Sequence, residues 1–350
     1  MVLGPPLNNS GGVGTLFTYF KEVAKDEVDL TFIDTRGPYK RAIFSVFNLL
    51  SALVKVTYLR LTGQIDLAHL NMGSKGSTFR KLILTWWIKA ALRKPIVIQL
   101  HASGFDTWMQ TLGAKTKSLV VRTLNRSDQT LVLGEFWRRK LLDLGVKEDR
   151  VRILVMGVPH LNRERTVTGK VSPVVKVLFA GEMSERKGLP NLLEALGSES
   201  LAHFELCVAG SGDQEHWRKY AQTLGISNKV SFLGLVPLWK IKELLLTTDV
   251  LVLPSRAEGL PVSVMEGLSA GVAVVCTSVG ALDEYLVDGR NSVILKSPSV
   301  QDIISGLKLT ENAQLRSLLG QEGYRTWREN FDVNLTYLKL LSVWKEISGF

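Results

Sequence analysis

The chain has 350 residues, more than one typical core can fill, so two domains are expected; 45% hydrophobic and 22% charged residues mark a soluble globular protein, neither disordered nor fibrous. The net charge of +10 is uneven, with 25 Lys and Arg against 13 Asp and Glu in residues 1–165 and 18 against 20 in the rest. A basic first half points to an anionic partner, and an anionic membrane surface is preferred to nucleic acid because the chain has no Cys/His finger spacing, no aromatic-basic RNA-reading motif and no basic heptad helix.

Short apolar, β-branched runs alternate with helical patterns, the signature of parallel sheets covered by helices. The first predicted strand is only Val2-Leu3, which suggests that a few N-terminal residues precede this sequence. Ser10-Gly-Gly-Val-Gly14 follows, before a helical pattern from Thr15. Such a loop lets backbone approach a phosphate or sugar at Gly12, although three glycines alone also fit a tight turn. After a strand over 29–33, residues 40–60 form a helix candidate with basic ends whose apolar residues wrap nearly all round. That pattern favours a buried, packed helix; the alternative is a helix lying on anionic lipid, helped by Trp86, Trp87 and Trp108. Its longest apolar run, 42–54, is too short to span a bilayer. No N-terminal secretory pattern is present, so the chain is expected in the cytoplasm, either free or peripheral on the inner face of the membrane.

Further strands are predicted at 67–70, 96–100, 130–133 and 151–155. His101 closes the second of these, where a neutral imidazole suits a sugar hydroxyl, although a lone His at a strand end is more often structural. A polar stretch over 157–172 is read as the hinge. Beyond it, strands are predicted at 175–179, 205–209, 230–233, 250–253, 272–276 and 292–295, and the sum is two doubly wound α/β sheets. Cys207 and Cys276 fall in such strands and are read as small apolar residues, not as a disulfide framework.

Three loops in the second half carry chemistry. The segment 179–188 ends in Glu-Arg-Lys-Gly, and its Arg186 and Lys187 bring cationic donors suited to a diphosphate, unless the run is only a solvated charged loop. Gly210-Ser-Gly-Asp213 makes a turn after a strand. The stretch Leu253 to Gly267 runs strand, turn and helix, with Pro261 expected as the first helical residue. The N–H groups around Gly259 and Leu260 then converge on a point suited to phosphate. Glu258 would stand at the mouth of the loop and Glu266 one turn into the helix, within reach of a ribose diol. An isolated Glu pair would read as wet surface; here two acids flank a phosphate-type loop. The chain has no Asp-x-Asp pair and no His/Cys/Asp cluster with metal-ligand spacing, so no metal and no cofactor are expected.

The pair Glu258 and Glu266 resembles the Glu-x7-Glu signature of family 4 of the retaining glycosyltransferases. The resemblance extends through Gly267, Ser269-Ala-Gly271, the segment 275–284 and Val287 to Asn291. It also takes in the Gly-Gly loop at Gly12 and the His-x-x-x-Phe segment from His101 to Phe105. It implies the GT-B architecture of two Rossmann-like domains facing across a cleft. The acceptor-binding domain would span 1–163 with a returning helix in 332–350, and the nucleotide-sugar-binding domain 164–331.

The implied activity is metal-independent transfer of a sugar from a nucleoside diphosphate sugar to an acceptor hydroxyl with retention, in which His101, Arg186, Lys187 and Glu258 are catalytic. Gly12, Gly210, Gly259, Leu260, Glu266 and Glu284 would bind the donor. The basic first half suggests a lipid-linked saccharide as acceptor, in surface polysaccharide assembly. There are departures from the family pattern: Glu182 stands where the family has Arg, Met156-Gly157 where Asn-Gly is common, and Ala281 where a second glycine is common. Arg186 would have to substitute for the missing Arg. The competing readings are a nucleotide-sugar epimerase and an inactive nucleotide-sugar-binding partner subunit.

Overall fold

The computed structural model describes residues 1–4, 11–24, 27–37, 42–101, 103–161 and 174–349. Two compact units emerge, Met1–Gly157 with Val333–Phe350, and Val158–Asp332. The first holds β1 (Val2–Gly4), α1 (Gly12–Ala24), β2 (Phe32–Asp34), α2 (Ala42–Leu61), β3 (Ala68–Met72), α3 (Gly76–Trp87), β4 (Ile96–Leu100), α4 (Phe105–Gln110), α5 (Ala114–Arg126), β5 (Gln129–Val132), α6 (Glu135–Asp143) and β6 (Val151–Ile153). The second holds β7 (Val175–Ala180), α7 (Leu189–Leu196), β8 (Phe204–Ala209), α8 (Gln214–Thr223), β9 (Val230–Gly234), α9 (Leu238–Thr247), β10 (Val250–Leu253), α10 (Val262–Ser269), β11 (Ala273–Thr277), β12 (Val293–Leu295), α11 (Val300–Leu309) and α12 (Ala313–Asn330). The last helix, α13 (Val333–Ser348), returns to the first unit.

Both sheets have six strands, all paired in parallel, in the orders β2-β1-β3-β4-β5-β6 and β12-β11-β10-β7-β8-β9. Central strands such as β4, β10 and β11 are buried at every residue, which is why they read as unbroken apolar runs. Strand order reverses at β1/β3 in one sheet and at β7/β10 in the other. The crevice outside the carboxyl ends of those strands is where an open α/β sheet takes ligands. The second unit begins at Val158 because that residue's N–H donates to the Phe331 carbonyl (2.8 Å) and its own carbonyl accepts from Trp327 Nε1 (3.1 Å). Most of the expected hinge, residues 162–173, lies outside the described residues.

The sequence expectation of a buried helix over 40–60 is overturned. α2 buries Ala52 and Val56 on one side, yet Phe47 is 64%, Val54 69% and Leu61 80% exposed. Only 17% of the stretch Phe44–Leu61 is buried, and among the described residues it is the one helix long and apolar enough to cross a membrane. The expectation that the apolar stretch was too short stopped at residue 54, whereas the helix continues through Lys55 to Leu61, about two further turns. Trp86 and Trp87 are also partly exposed. Cys207 is half-buried and Cys276 fully buried, and both are free thiols.

Candidate functional site

In the second unit the loops after β7 and β10 meet at the strand-order reversal. Gly188 makes the contact possible: its φ is +75°, and a Cβ there would lie 2.0 Å from the Pro254 carbonyl oxygen. The Arg256 N–H donates to the Arg186 carbonyl (2.8 Å), and the Arg186 guanidinium donates to the Ala257 carbonyl (3.1 Å). The second loop is backed by Gly280, φ +71°, where a Cβ would sit 2.3 Å and 2.4 Å from the carbonyls of Glu258 and Gly259. Ala281 N–H donates to the Gly259 carbonyl (2.9 Å), so glycine at 280 and alanine at 281 are compatible with this packing.

These loops bring three of the predicted residues together. Lys187 Nζ lies 2.5 Å and Arg186 Nη1 3.7 Å from Glu258 Oε1, with the Glu258 side chain 8% and the Lys187 side chain 13% exposed. The Ser255 hydroxyl donates to the same oxygen (2.7 Å). A buried carboxylate held by an ammonium and a hydroxyl is fixed in orientation, and its desolvation is offset by the pairing. Glu182, which replaces the family's Arg, pairs with the far side of the Arg186 guanidinium at 3.0 Å. Arg186 is thus tethered at the rim of the cluster, beside Lys187.

Gly259 is buried and Leu260 partly so. The helix begins one residue later than expected: Pro261 is the N-cap, with ψ 124°, and α10 starts at Val262. The N–H groups of Gly259, Leu260, Val262 and Ser263 donate to no backbone carbonyl of the described residues. They form a cluster of amide donors at a helix start, next to the Lys187–Glu258 pair in sequence. Glu266 is buried one turn into α10. Gly210, φ +156°, is required by close packing, since a Cβ would lie 1.7 Å from the Gly181 carbonyl oxygen. Glu284 closes the 3-10 turn Leu282–Glu284 and is exposed. Burial first, and the Glu284 charge second, push the neighbouring Tyr285 hydroxyl up to about 12. Among the described residues no three His, Cys, Asp or Glu are grouped to hold a metal ion.

In the first unit Gly12 is the exposed first residue of α1, and the loop before it, 5–10, lies outside the described residues. His101 directly follows β4, and its N–H donates to the Met72 carbonyl (3.0 Å). Its Nε2 lies within hydrogen-bond distance of the Asn71 side-chain amide (2.9 Å). Burial lowers the imidazole to about 4, which keeps it neutral near pH 7.

Sequence reasoning missed Asn71 and Lys81. Asn71 is the last residue but one of β3, at the crevice, and its Nδ2 is buried with no hydrogen-bond partner among the described residues. Lys81 is buried on α3, its ammonium bonded to the Thr35 hydroxyl. Burial first, then the Arg80 charge, lower it to about 7 against the opposing pull of Asp34. A signal for Lys81 existed: it shares a helix face with Thr78 three residues before it and Thr85 four residues after it, both buried, so it occupies a core position.

Residues 162–326 match the model of the family described as glycosyl transferases group 1. The amylovoran biosynthesis glycosyltransferase AmsK of Erwinia amylovora is 25% identical over 68% of this chain and 59% of its own length. The chain covers between 57% and 65% of the length of the first curated relatives it matches. Among solved structures, sucrose-phosphate synthase from Thermosynechococcus elongatus superposes with a TM-score of 0.82 at 14% identity, covering 99% of this chain and 98% of that one. Anabaena HepE in complex with UDP-glucose gives 0.73 at 16% identity, with 98% of each chain covered. The two parallel six-stranded sheets with their helices are the GT-B fold.

Proposed function

We propose, from the match of residues 162–326 to the glycosyl transferases group 1 model, that the chain moves a sugar from a nucleoside diphosphate sugar to an acceptor hydroxyl, with retention of configuration as in family 4. The observation that carries this reading is the cluster of Lys187, Arg186 and Glu258 beside the amide donors that open α10.

The diphosphate seats on Lys187 and Arg186 and on the N–H groups at Gly259 and Leu260. Those donors meet negative charge as it builds on the leaving phosphate, which is where preorganised donors accelerate a reaction most. The sugar–phosphate bond breaks, and the acceptor hydroxyl adds from the same face while its proton passes to the leaving phosphate oxygen. Glu258, held by Lys187 and Ser255, orients the sugar; Glu266 takes the ribose diol; Gly210 and Glu284 flank the donor.

In the first unit we assign Gly12 to close backbone approach and His101 to sugar orientation. A neutral imidazole anchored on Asn71 suits a hydrogen bond to a hydroxyl and not a charge contact. We assign no metal to the reaction. The UDP-glucose held by the Anabaena structure supports a nucleoside diphosphate donor. The basic first half supports a lipid-linked saccharide acceptor at the cytoplasmic face of a membrane.

The test is release of nucleoside diphosphate from UDP-, GDP- and ADP-sugars, with and without membrane lipid extract and with and without chelator, for the wild type, Lys187→Ala and Glu258→Ala. Release that needs extract and both side chains, and survives chelation, supports the reading. Conversion of a donor without acceptor would replace it with an epimerase. A second reading, a nucleotide-sugar-binding subunit without turnover, is favoured by Glu182 neutralising part of Arg186. Donor binding without release in any condition, with large activity gained in Glu182→Arg, would establish it instead.

A further inference from the structure

The first unit carries an apolar surface that combines with the chain's whole excess of positive charge. On α2 the side opposite the buried Ala52 and Val56 presents Phe44, Phe47, Leu50, Val54, Tyr58 and Leu61. Their spacing of three and four residues puts them on one stripe, along a 20-residue helix roughly 30 Å long. Beside it runs a groove of about 640 Å³ whose lining includes Leu53, Ile83, Trp86, Trp87 and Leu119. The indole N–H groups are satisfied within the protein, Trp86 by the Thr123 hydroxyl (2.9 Å) and Trp87 by the Thr57 hydroxyl (3.1 Å), so the exposed parts of the rings are hydrocarbon. The Arg126 guanidinium stands 4.3 Å over the Trp86 ring. Residues 42–126, which contain all of these elements, hold 12 Lys and Arg against 2 Asp and Glu; Lys81 is buried and Lys89 is paired with Asp128, so the cations left for a partner are the others, among them Lys115, Lys117, Arg122 and Arg126.

The combination selects the partner. Nucleic acid would match the charge but leave the stripe in water. A second copy would cover the stripe but bring the same positive charge against itself. An anionic bilayer matches both, with headgroups for the cations and hydrocarbon for the stripe. Lys55 at the middle of α2, and Ala52 and Val56 packed into the protein, exclude a helix that crosses the membrane and suit one lying in the interface. We propose that the α2 face of the first unit docks on an anionic lipid bilayer, with α2 in the plane of the headgroups and the groove beside Trp86 and Trp87 receiving an acyl chain. This deepens the reading of a lipid-linked acceptor, and it is tested without donor or acceptor, so that either can fail while the other stands.

The experiment is flotation of the full chain with vesicles of phosphatidylcholine alone, or with about one third phosphatidylglycerol, at low and high salt. The chain floats with the anionic vesicles at least about tenfold more than with neutral ones, and salt weakens the binding. Phe47→Ser/Val54→Ser lowers it by about tenfold or more, as does Lys115→Glu/Lys117→Glu/Arg122→Glu, with the unfolding transition unchanged. Brominated acyl chains quench tryptophan fluorescence in the wild type and much less in Trp86→Phe/Trp87→Phe. Absence of flotation on anionic vesicles, or flotation that survives the stripe substitutions, overturns the proposal. Self-association that the stripe substitutions abolish, without vesicle binding, overturns it in favour of a second copy.

Discussion

Glu258 is nearly buried and owes its orientation to Lys187, a residue 71 positions earlier. Removing Lys187 leaves the nearly buried Glu258 with only the Ser255 hydroxyl and the more distant Arg186 guanidinium, so Lys187→Met is expected to cost about 2 kcal/mol, and Lys187→Met/Glu258→Gln less than the sum of the two single changes. Urea denaturation of the four proteins in that cycle measures the coupling; additive losses would mean that the pair is not coupled.

Lys81 makes a pH prediction. Its folded value of about 7 lies below the ordinary 10.5, so between those limits the folded chain binds fewer protons than the unfolded chain and stability rises with pH. Below that window the full cost of the buried charge is present. Lys81→Met is expected to stabilise by roughly 1–4 kcal/mol near pH 6, with the gain shrinking towards pH 10. A pH-independent effect in denaturation experiments would contradict it.

Lys187, Glu258 and Glu266 could be singled out from the sequence because they stand in the order of the family motifs, whereas Arg186 lies off the motif and was singled out as a substitute for the Arg that Glu182 replaces. The ion pair itself was not, since nothing local says which of two distant loops will touch.

At the scale of elements, two glycines with nearly the same backbone angle separate strain from crowding. Gly188 (φ +75°) faces the Pro254 carbonyl, whereas at Gly225 (φ +70°) no atom of the described residues lies within 4 Å of where a Cβ would stand. Gly225→Ala is expected to cost about 1 kcal/mol from backbone strain alone. Gly188→Ala must also push apart the loops after β7 and β10, and it is expected to cost upwards of about 3 kcal/mol and to weaken nucleotide binding. Equal losses in the two variants, by denaturation and calorimetry, would show that the loop contact is unimportant. The strands were readable because a parallel sheet covered on both faces demands runs such as 96–100 and 250–253, both of which form as expected. The exposure of α2 was not readable. A helix apolar on nearly every side has no periodicity to say which side meets the core, and only the packing of Ala52 and Val56 decides it.

At the scale of the whole molecule, the chain leaves its first unit at Gly157 and re-enters it at Val333. α13 is fastened there by Trp344 Nε1–H donating to His69 Nδ1 (3.2 Å), by the Tyr337 hydroxyl donating to Glu27 (2.8 Å), and by the Arg152–Glu346 ion pair. Burial of Leu340 and Trp344 against α1 supplies the apolar part. Chains ending at Asp332 are expected to retain a protease-resistant second unit and to lose the first; equal resistance of both would contradict this. The same crossing sets an order of birth. A ribosome delivers all of the second unit before the residues that complete the first, so the inserted unit can close while its host still waits for α13. Until then His69, the imidazole that α13 covers, and Phe20 beside it stay open to water and to chaperones, which makes the nascent first unit the vulnerable stage in the life of this protein.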